Sequence, residues 1–366
     1  MRFCSEISLG RAEAQRTGAL AHSRTCLQFR TFALSHSRTD LKAIVITRPG
    51  GPDVLSIEDR PVPQPGPGEI RVRVLASALN RADVLQRRGS YPAPPGAPAD
   101  IPGLEYAGEV DAVGEGAGLW AVGNRVMGIV GGGGHAEYVV VHEREAIRIP
   151  QNLGGEEAAA IPEAFLTGYD ALFRQLDLKM GERLLIHAVG SGVGTAALQL
   201  ALAAGAMTIG TSRTPEKLRR ATELGLEVGI DTEREDLAEA VNQATYGSGV
   251  HAVLDLVGGK LLEASLRVLA LQGRAIVVGT TGGSKAEIDL GLLLRRRVHL
   301  FGTVLRSRPL EEKISLAREF SSVVLPLFSS GRIRPVVDST FEFSQIRKAH
   351  ERMEANQTFG KIVLTW

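Results

Sequence analysis

Cysteine is almost absent from this 366-residue chain, which has only Cys4 and Cys26. Both cysteines lie within the first 40 residues, so the rest of the sequence has no ligands for a disulfide framework or a cysteine-based zinc site. Such cysteine usage is typical of proteins in a reducing compartment. We therefore expect a cytoplasmic protein.

An excess of one charge and long apolar runs are also missing. Lys and Arg number 42 against 41 Asp and Glu, which leaves nothing to attract nucleic acid or an anionic membrane. The longest apolar stretch, from Ala196 to Gly210, contains Gln199 and falls short of the roughly 18 residues of a membrane span. We predict no transmembrane helix, and the length predicts about two domains.

The first 40 residues differ from the rest, because arginine and serine recur there with little periodicity. Such a composition can indicate a mitochondrial transit peptide, although Glu6, Glu13 and Asp40 weaken that interpretation. We prefer a disordered or wrongly assigned N-terminal extension. Regular structure is expected to start at Leu41.

Two patterns follow one another along the remaining chain. Up to about residue 160, short strands alternate with Pro/Gly-rich turns, and Ile70, Val72 and Val74 predict a half-buried antiparallel sheet. Beyond it, strands and helices alternate from RLLIHAV to RVHLFGTVL, which predicts six strands in a parallel sheet. We predict an α/β protein with a mostly-β domain and a Rossmann domain, in which the segment from about Arg306 could rejoin the first domain.

A glycine-rich loop, VGSGVG, follows the first strand of the alternating series and opens its first helix. Its glycines, Gly190, Gly192 and Gly194, are spaced one residue tighter than the dinucleotide fingerprint. Gly192 and Gly194 would let the helix N-terminus approach a pyrophosphate, and Ser191 could add a hydroxyl donor. A tight turn without a ligand is the alternative, but the six alternating strands favour a nucleotide site.

The end of the second strand of this series bears on the choice of cofactor. In GTSRTPEKLRR no carboxylate stands at Ser212 or Arg213 to bind a ribose hydroxyl, whereas Arg213 and Lys217 could bind a 2′-phosphate. The alternative is that these cations lie solvated on a helix capped by Thr214, with Glu216 offsetting their field. We predict NADPH rather than NADH.

From Leu41 onward the chain resembles the medium-chain dehydrogenase/reductases. Within them it is similar to the zinc-independent quinone oxidoreductases related to zeta-crystallin, in the branch of tumour-suppressor-inducible NADPH quinone oxidoreductases. The resemblance is carried by SALNRADVLQRRGSYPAPPG, GLEYAGEV, GGGGHAEYVVV, AAAIPEAFLTGYDAL, HAVGSGVGTAALQLA, LRSR and MEANQTFGKIVL. It implies a GroES-like catalytic domain over residues 41–163 and 307–366, a Rossmann NADPH-binding domain over 164–306, and a tight glycine loop.

The same resemblance bears on zinc. Zinc alcohol dehydrogenases of this superfamily have a cysteine where this chain has Asn80, a histidine where it has Leu104, and a cysteine near Glu163. Leu104 cannot bind zinc and Asn80 is a poor substitute. We therefore expect no zinc ion.

The resemblance also implies site residues. Tyr91 could hydrogen-bond or stack on an acceptor, and Asn80 could donate to a developing oxyanion. Alternatively, Tyr91 packs within its loop and Asn80 caps the following helix. The expected cofactor contacts are Thr167, Ser191, Gly192, Val193, Gly194, Arg213, Lys217, Thr232, which replaces a tyrosine of the relatives, Gly279, Val304 and Leu305.

The implied activity is hydride transfer from NADPH to a quinone. Reduction of an enone or enal double bond is a second possibility, because conjugate hydride delivery needs the same geometry. A third is a non-catalytic NADPH-binding protein of the crystallin-like or RNA-binding kind, which the near-neutral charge disfavours for RNA. A homodimer formed through the last Rossmann strand, near HLFGTVL, is also expected.

Overall fold

The computed structural model describes residues 39–366. The prediction of a disordered or wrongly assigned extension therefore falls almost wholly outside the described residues. Regular structure starts with β1 (Asp40–Ile46), one residue before the expected position, and β1 pairs antiparallel with β2 (Leu55–Pro61).

A seven-stranded sheet forms the first lobe, with the order β14-β15-β3-β4-β5-β7 and with β6 paired to β3. Its strands are β3 (Glu69–Leu79), β4 (Glu105–Val113), β5 (Arg125–Ile129), β6 (Tyr138–His142), β7 (Ile147–Arg148), β14 (Val337–Glu342) and β15 (Lys361–Thr365). The last two come from the end of the chain, and β15 pairs antiparallel with β3. The C-terminal segment thus completes the sheet that the N-terminal half begins.

The period-two pattern of β3 divides its side chains between two faces. Ile70 and Val72 are fully buried, whereas Arg71 and Arg73 lie on the opposite face. There the guanidinium of Arg71 binds the carboxylate of Asp111 at 2.7 Å. The alternation therefore buries the apolar side chains and leaves the arginines paired on the partly exposed face.

A six-stranded parallel sheet forms the second lobe, with the order β10-β9-β8-β11-β12-β13. Its strands are β8 (Arg183–Ile186), β9 (Met207–Ser212), β10 (Val228–Asp231), β11 (Val250–Asp255), β12 (Leu269–Val277) and β13 (His299–Gly302). This is the order of two mononucleotide-binding halves that meet between β8 and β11. The predicted α/β class with a Rossmann sheet is confirmed.

Helices cover the parallel sheet and join the two lobes. They are α1 (Arg81–Arg87), α2 (Gly155–Ala159), α3 (Pro162–Tyr169), α4 (Gly192–Ala203), α5 (Pro215–Glu223), α6 (Leu237–Ala244), α7 (Lys260–Val268), α8 (Leu290–Arg296), α9 (Leu310–Val323), α10 (Leu325–Ser329) and α11 (Ile346–Glu354). Among residues 39–366, no helix has both the length and the apolarity needed to cross a bilayer.

One hydrophobic core runs from the first lobe into the second. It contains Met127 of β5, Phe165 of α3, Leu200 of α4 and Phe328 of α10. The rings of Phe165 and Phe328 meet edge to face with their centroids 4.8 Å apart. Because these side chains share one core, α3 is held rigidly against both sheets, and so are the side chains that α3 presents to the site.

His187 is a buried polar contact at the end of β8. Its Nδ1 lies 2.9 Å from Thr211 Oγ1, and its Nε2 lies 2.6 Å from Ser265 Oγ. Burial lowers the pKa of His187 to about 4. The neutral imidazole therefore joins β8 to β9 and α7, and has a structural role.

We predict that His187→Gln alters the pH dependence of stability. The folded-state pKa lies below the ordinary value of 6.5, so the unfolded chain takes up the proton first as the pH falls. The native protein should lose up to about 3 kcal/mol between pH 6.5 and 4 through this group. Urea unfolding followed by circular dichroism should therefore show a gap between native and variant proteins that narrows over this range.

His142→Gln, at a partly exposed position on β6, is the matched control. Its stability should follow that of the native protein at every pH. A gap for His187→Gln that stays constant from pH 7 to pH 4 would contradict the assignment.

Candidate cofactor and acceptor site

The residues predicted to bind the cofactor follow the carboxyl ends of different strands in the parallel sheet. Such strand ends share one edge, and the crevice at the β8/β11 switch point is where open α/β sheets bind ligands. The segments are Ser191–Gly194 after β8, Arg213 and Lys217 after β9, Thr232 after β10, Gly279 after β12, and Val304 and Leu305 after β13.

The glycine loop makes a close turn between β8 and α4. Ser191 is the N-cap of α4, and its Oγ accepts the N–H of Gly194 at 3.0 Å. A Cβ on Gly194 would lie 2.5 Å from the carbonyl oxygen of Ala188, which no side chain could tolerate. Gly194 therefore serves the close packing of strand and helix rather than ligand contact.

Two N–H groups at the start of α4, those of Gly192 and Val193, have no acceptor within the helix because of helix geometry. They lie at the positive end of the helix dipole, which suits a pyrophosphate. A Cβ on Gly192 would lie 2.6 Å from Cδ of Lys361, so the stem of this lysine lies directly across the loop. The loop fits a dinucleotide.

A cavity of about 500 Å³ opens beyond the loop, at the end of β9. Arg213, Lys217, Arg220 and Asn356 are among its lining residues. Lys217 Nζ donates to the backbone carbonyl of Asn356 at 2.6 Å. Burial, followed by the charge of Arg213, lowers the pKa of Lys217, because crowded cations favour the neutral amine. The cations at this end of the cavity therefore repel one another.

Two carboxylates and Thr232 modify this cavity. Glu216 and Glu233 line it, but Glu216 is bound by the guanidinium of Arg219 at 2.9 Å on the outer side of α5. Thr232 is not one of the lining residues, and its backbone N–H donates to the carbonyl of Ser212 at 3.1 Å. The structure therefore places Arg213 and Lys217 together and leaves Thr232 at the margin.

The residues expected near the nicotinamide differ in what they can offer. Thr167 is buried on α3, and a Cβ on Gly279 would lie 2.6 Å from the carbonyl oxygen of Leu256. Val304 is 47% exposed, whereas Leu305 is 4% exposed and belongs to the core. The side chain of Leu305 is thus committed to packing, and only its backbone could edge a carboxamide.

Tyr91 lies in the loop after α1, beneath Arg306. The guanidinium of Arg306 lies 5.0 Å from the centre of the tyrosine ring and donates to the carbonyl oxygen of Gly131 at 2.7 Å. A further donation to Gln86 Oε1, at 2.6 Å, fixes the other end of the guanidinium. Burial raises the pKa of Tyr91, so the phenol stays protonated. Arg306 thereby holds this loop from the second lobe.

Asn80 is the N-cap of α1, and its backbone N–H donates to Asp83 Oδ2 at 2.7 Å. Its amide nitrogen donates to Glu105 Oε1 at 2.8 Å and to the carbonyl of Ala78 at 3.3 Å. Both amide hydrogens therefore have protein acceptors. The oxyanion contact expected of Asn80 would require the amide to leave one of them, so its geometry favours positioning its neighbours.

Lys361 was missing from the sequence prediction. Its Nζ lies 2.7 Å from Glu105 Oε1, 2.5 Å from Asn80 Oδ1 and 3.1 Å from the carbonyl oxygen of Leu79. The lysine is 4% exposed and Glu105 is fully buried. The sequence did contain one indication of this role, because Lys361 is the first residue of the apolar strand KIVLT. A lysine that is buried with such a strand requires polar partners.

Glu163, in the first turn of α3, was noted only as the place of a lost zinc ligand. Its backbone N–H donates to Glu105 Oε2 at 2.8 Å. Burial, and then the charge of Glu105, raises the pKa of the Glu163 carboxyl to about 8. We call Asn80, Glu105, Glu163 and Lys361 the buried polar cluster. Leu104, beside Glu105, is apolar and 2% exposed. Within residues 39–366, no three His, Cys, Asp or Glu side chains are grouped to hold a metal ion.

Two family models match the chain. The alcohol dehydrogenase GroES-like domain matches residues 66–151, and the zinc-binding dehydrogenase domain matches residues 192–322. A quinone oxidoreductase of Pseudomonas aeruginosa is 34% identical over 88% of this chain and 99% of its own length. A quinone oxidoreductase of Lama guanicoe is 30% identical over 88% of this chain and 97% of its own length.

Solved structures agree in fold over most of the chain. A mycobacterial protein complexed with NADPH has a TM-score of 0.79 and 30% identity, covering 89% of this chain and 100% of its own. An NAD-dependent alcohol dehydrogenase has a TM-score of 0.78 and 32% identity, over 89% and 99%. The CurK enoyl reductase has a TM-score of 0.79 and 27% identity, over 90% and 99%. The chain belongs to the medium-chain dehydrogenase/reductase family and is a quinone oxidoreductase-like, nicotinamide-dependent oxidoreductase.

Proposed function

We propose that the protein transfers hydride from NADPH to a quinone without a zinc ion. The observation that carries the cofactor choice is the cavity at the end of β9, where Arg213, Lys217 and Arg220 converge. A 2′-phosphate would bind these cations and relieve their mutual repulsion. A cofactor without that phosphate would not relieve this repulsion.

The quinone is supported by relatives and by the chemistry of the site. The two relatives reported above are quinone oxidoreductases, and each aligns over nearly its full length. A quinone accepts hydride readily because the oxyanion it forms is delocalised, so the protein must chiefly orient two flat rings. Tyr91, held beneath Arg306, offers a ring and a protonated phenol for that purpose.

The zinc-independent chemistry is supported by the buried polar cluster. The Lys361 ammonium lies among Glu105, Asn80 and the carbonyl of Leu79, and Leu104 contributes no ligand. Bound NADPH would supply the hydride. The protein residues would bind its phosphates, hold the acceptor against Thr167 and Tyr91, and exclude water from the transfer.

Reduction of an activated carbon–carbon double bond is the second candidate. It is supported by the likeness to the CurK enoyl reductase, which extends over 90% of this chain. Reduction of such a double bond differs from reduction of a quinone, because the enolate that forms must then take a proton on carbon or oxygen. It therefore depends more on an acid in the site.

We further propose that the protein is a homodimer joined through β13. Strand β13 pairs with β12, and Leu300 on it is 39% exposed. Nearby, α8 has no buried residue, and its Leu290 and Leu294 are 69% and 78% exposed. An apolar strand with an open edge favours association with a second copy of the chain.

The first test is NADPH oxidation with an ortho-quinone and with a simple enone, each run beside NADH. We expect turnover of the quinone with NADPH and much slower turnover with NADH, because the phosphate cavity is filled only by the former. Loss of absorbance from the reduced nicotinamide measures both rates. Binding of NADPH without turnover of either acceptor would favour a non-catalytic binding protein.

Lys217→Ala should weaken NADPH binding far more than NADH binding. Losing one charge-assisted contact to the 2′-phosphate should raise the Kd for NADPH roughly tenfold or more, corresponding to about 1.5–3 kcal/mol. Quenching of protein fluorescence on titration measures both constants. Lys348→Ala is the control, because this lysine is exposed on α11 and does not line the cavity. Equal weakening of NADPH and NADH would show that the phosphate binds elsewhere.

Leu294→Glu should convert a dimer to a monomer, since it places a charge in the proposed apolar contact. Sedimentation velocity over a range of protein concentrations measures the change. Met180→Glu, at an equally exposed apolar position away from β13, should leave the dimer intact. A native protein that is monomeric throughout would disprove the proposal.

A further inference from the structure

We propose that Glu163 is the proton donor to the acceptor that the cofactor reduces. This inference rests on the proposed function, in either its quinone or its enone form. The hydride forms the new C–H bond of a reduced enone, or the O–H bond of a reduced quinone, with its electron pair. The O–H bond of the Glu163 carboxyl breaks and its proton passes to the enolate or oxyanion. The carboxylate then takes a proton from solvent, so the sum is acceptor, NADPH and one proton giving reduced acceptor and NADP⁺.

The position of Glu163 is the first argument. It lies one helical turn before Thr167 on α3, so the two side chains share a face of the helix. In the proposed function, Thr167 lies beside the nicotinamide. The guanidinium of Arg306, in the segment after β13, is close enough to favour the Glu163 carboxylate, and the charge of Glu163 in turn raises the pKa of the Tyr91 phenol, in the loop after α1. With the acceptor held against Thr167 and Tyr91 as proposed, the carboxyl borders the space between cofactor and acceptor.

The hydrogen bonding of the neighbourhood is the second argument. Glu105 is fully engaged, since Oε1 accepts from Lys361 and Asn80 while Oε2 accepts the backbone N–H of Glu163. The side-chain carboxyl of Glu163 has no such partner among residues 39–366. The residue is mostly buried but not wholly enclosed, so the carboxylate can take up a proton from water after donating one. A carboxyl group that is free of internal bonds and adjacent to the acceptor space is suited to proton transfer.

The charges around Glu163 keep the carboxyl protonated. Glu105 of β4 and Asp83 of α1 oppose a second negative charge, whereas Lys361 of β15 and Arg306 favour it. The start of α3 would also favour a carboxylate through its dipole. Burial and Glu105 outweigh these contributions, and the pKa rises to about 8. Near neutral pH the group therefore carries the proton that it would donate.

The two acceptor classes should depend on this proton differently. A reduced ortho-quinone leaves a delocalised oxyanion, which water can protonate later. An enone leaves an enolate, whose charge is shared over fewer atoms than that of the reduced quinone, so its formation benefits more from an acid in the transition state. Loss of the Glu163 acid should therefore slow the enone reaction much more than the quinone reaction. This difference distinguishes an effect on proton donation from an effect on hydride transfer or on binding.

The test compares native protein, Glu163→Gln and Glu351→Gln with both acceptors over a range of pH. In Glu163→Gln, kcat/KM should fall about 100-fold for the enone and less than about tenfold for the ortho-quinone, because amide nitrogen cannot donate a proton. For native protein the enone rate should fall tenfold per pH unit above about 8, as the acid is lost. The variant should lack this decline and the associated solvent isotope effect. Glu351 is exposed on α11, and its variant should behave as native.

A second measurement is independent of turnover. Infrared difference spectra of the protein without added cofactor should contain a protonated-carboxyl band near neutral pH. The band should disappear as the pH rises above about 8 and be missing from Glu163→Gln. The NADPH affinity and thermal unfolding of the variant should match those of native protein, which excludes a merely structural effect.

Several outcomes would overturn the proposal. An unchanged pH profile in Glu163→Gln, with normal native turnover, would reject the proton donor while leaving the proposed function standing. A flattened profile in Tyr91→Phe instead would assign the proton to the phenol. Absence of the protonated-carboxyl band from native protein would also reject Glu163 as the proton donor. No turnover of either acceptor by native protein would reject the proposed function, and the proton donor with it.

Discussion

The ion pair between Lys361 and Glu105 is the interaction on which the site depends. Its Nζ–Oε1 distance is 2.7 Å, and the two side chains are 5% and 0% exposed. Removing one partner would strand the other charge in the core, a change that typically costs about 3–5 kcal/mol. Lys361 opens β15, Glu105 opens β4, and Asn80 bonds to both before α1. One buried cation therefore fixes the ends of two strands and the start of a helix.

The same lysine connects chemistry to cofactor binding. Its aliphatic stem crosses Gly192, where an added Cβ would lie 2.6 Å from Cδ of Lys361. The position of the ammonium is therefore coupled to the position of the glycine loop. The neighbouring Gly360 donates its N–H to the carbonyl of Gly190 at 3.0 Å. The C-terminal strand thus brings the first lobe against the loop of the second. Arg306 makes the reverse connection, reaching from the second lobe to Gln86 and Gly131 in the first.

Sequence patterns predicted the parts of this molecule that local periodicity determines. Alternation in β3 and the strand–helix series gave the two sheets, and the position of VGSGVG after β8 placed the loop at the switch point. The resemblance supplied the family, which the relatives confirm. The sequence patterns did not predict the contacts of Lys361 and Arg306 or the donor proposed at Glu163, because the partners of these residues are distant in sequence. Lys361 and Glu105 are 256 residues apart, and Arg306 and Gln86 are 220 residues apart. For Asn80 the sequence left two roles open, an oxyanion donor and a helix cap, because neither of its long-range partners, Glu105 and Lys361, is visible in a local pattern.

Charge balance explains why Glu163 keeps its proton beside Glu105. The backbone N–H of Glu163 donates to the side chain of Glu105, and the ammonium of Lys361 also bonds to Glu105 rather than to Glu163. Glu163, left with burial and a neighbouring negative charge, is more stable with its proton. A metal ion of charge two in this place would favour both carboxylates, whereas one ammonium allows one of them to remain an acid. With Asn80, Leu104 and Glu163 at or near the positions where zinc alcohol dehydrogenases have their ligands, the chemistry that we propose is proton donation by Glu163 in place of Lewis-acid polarisation.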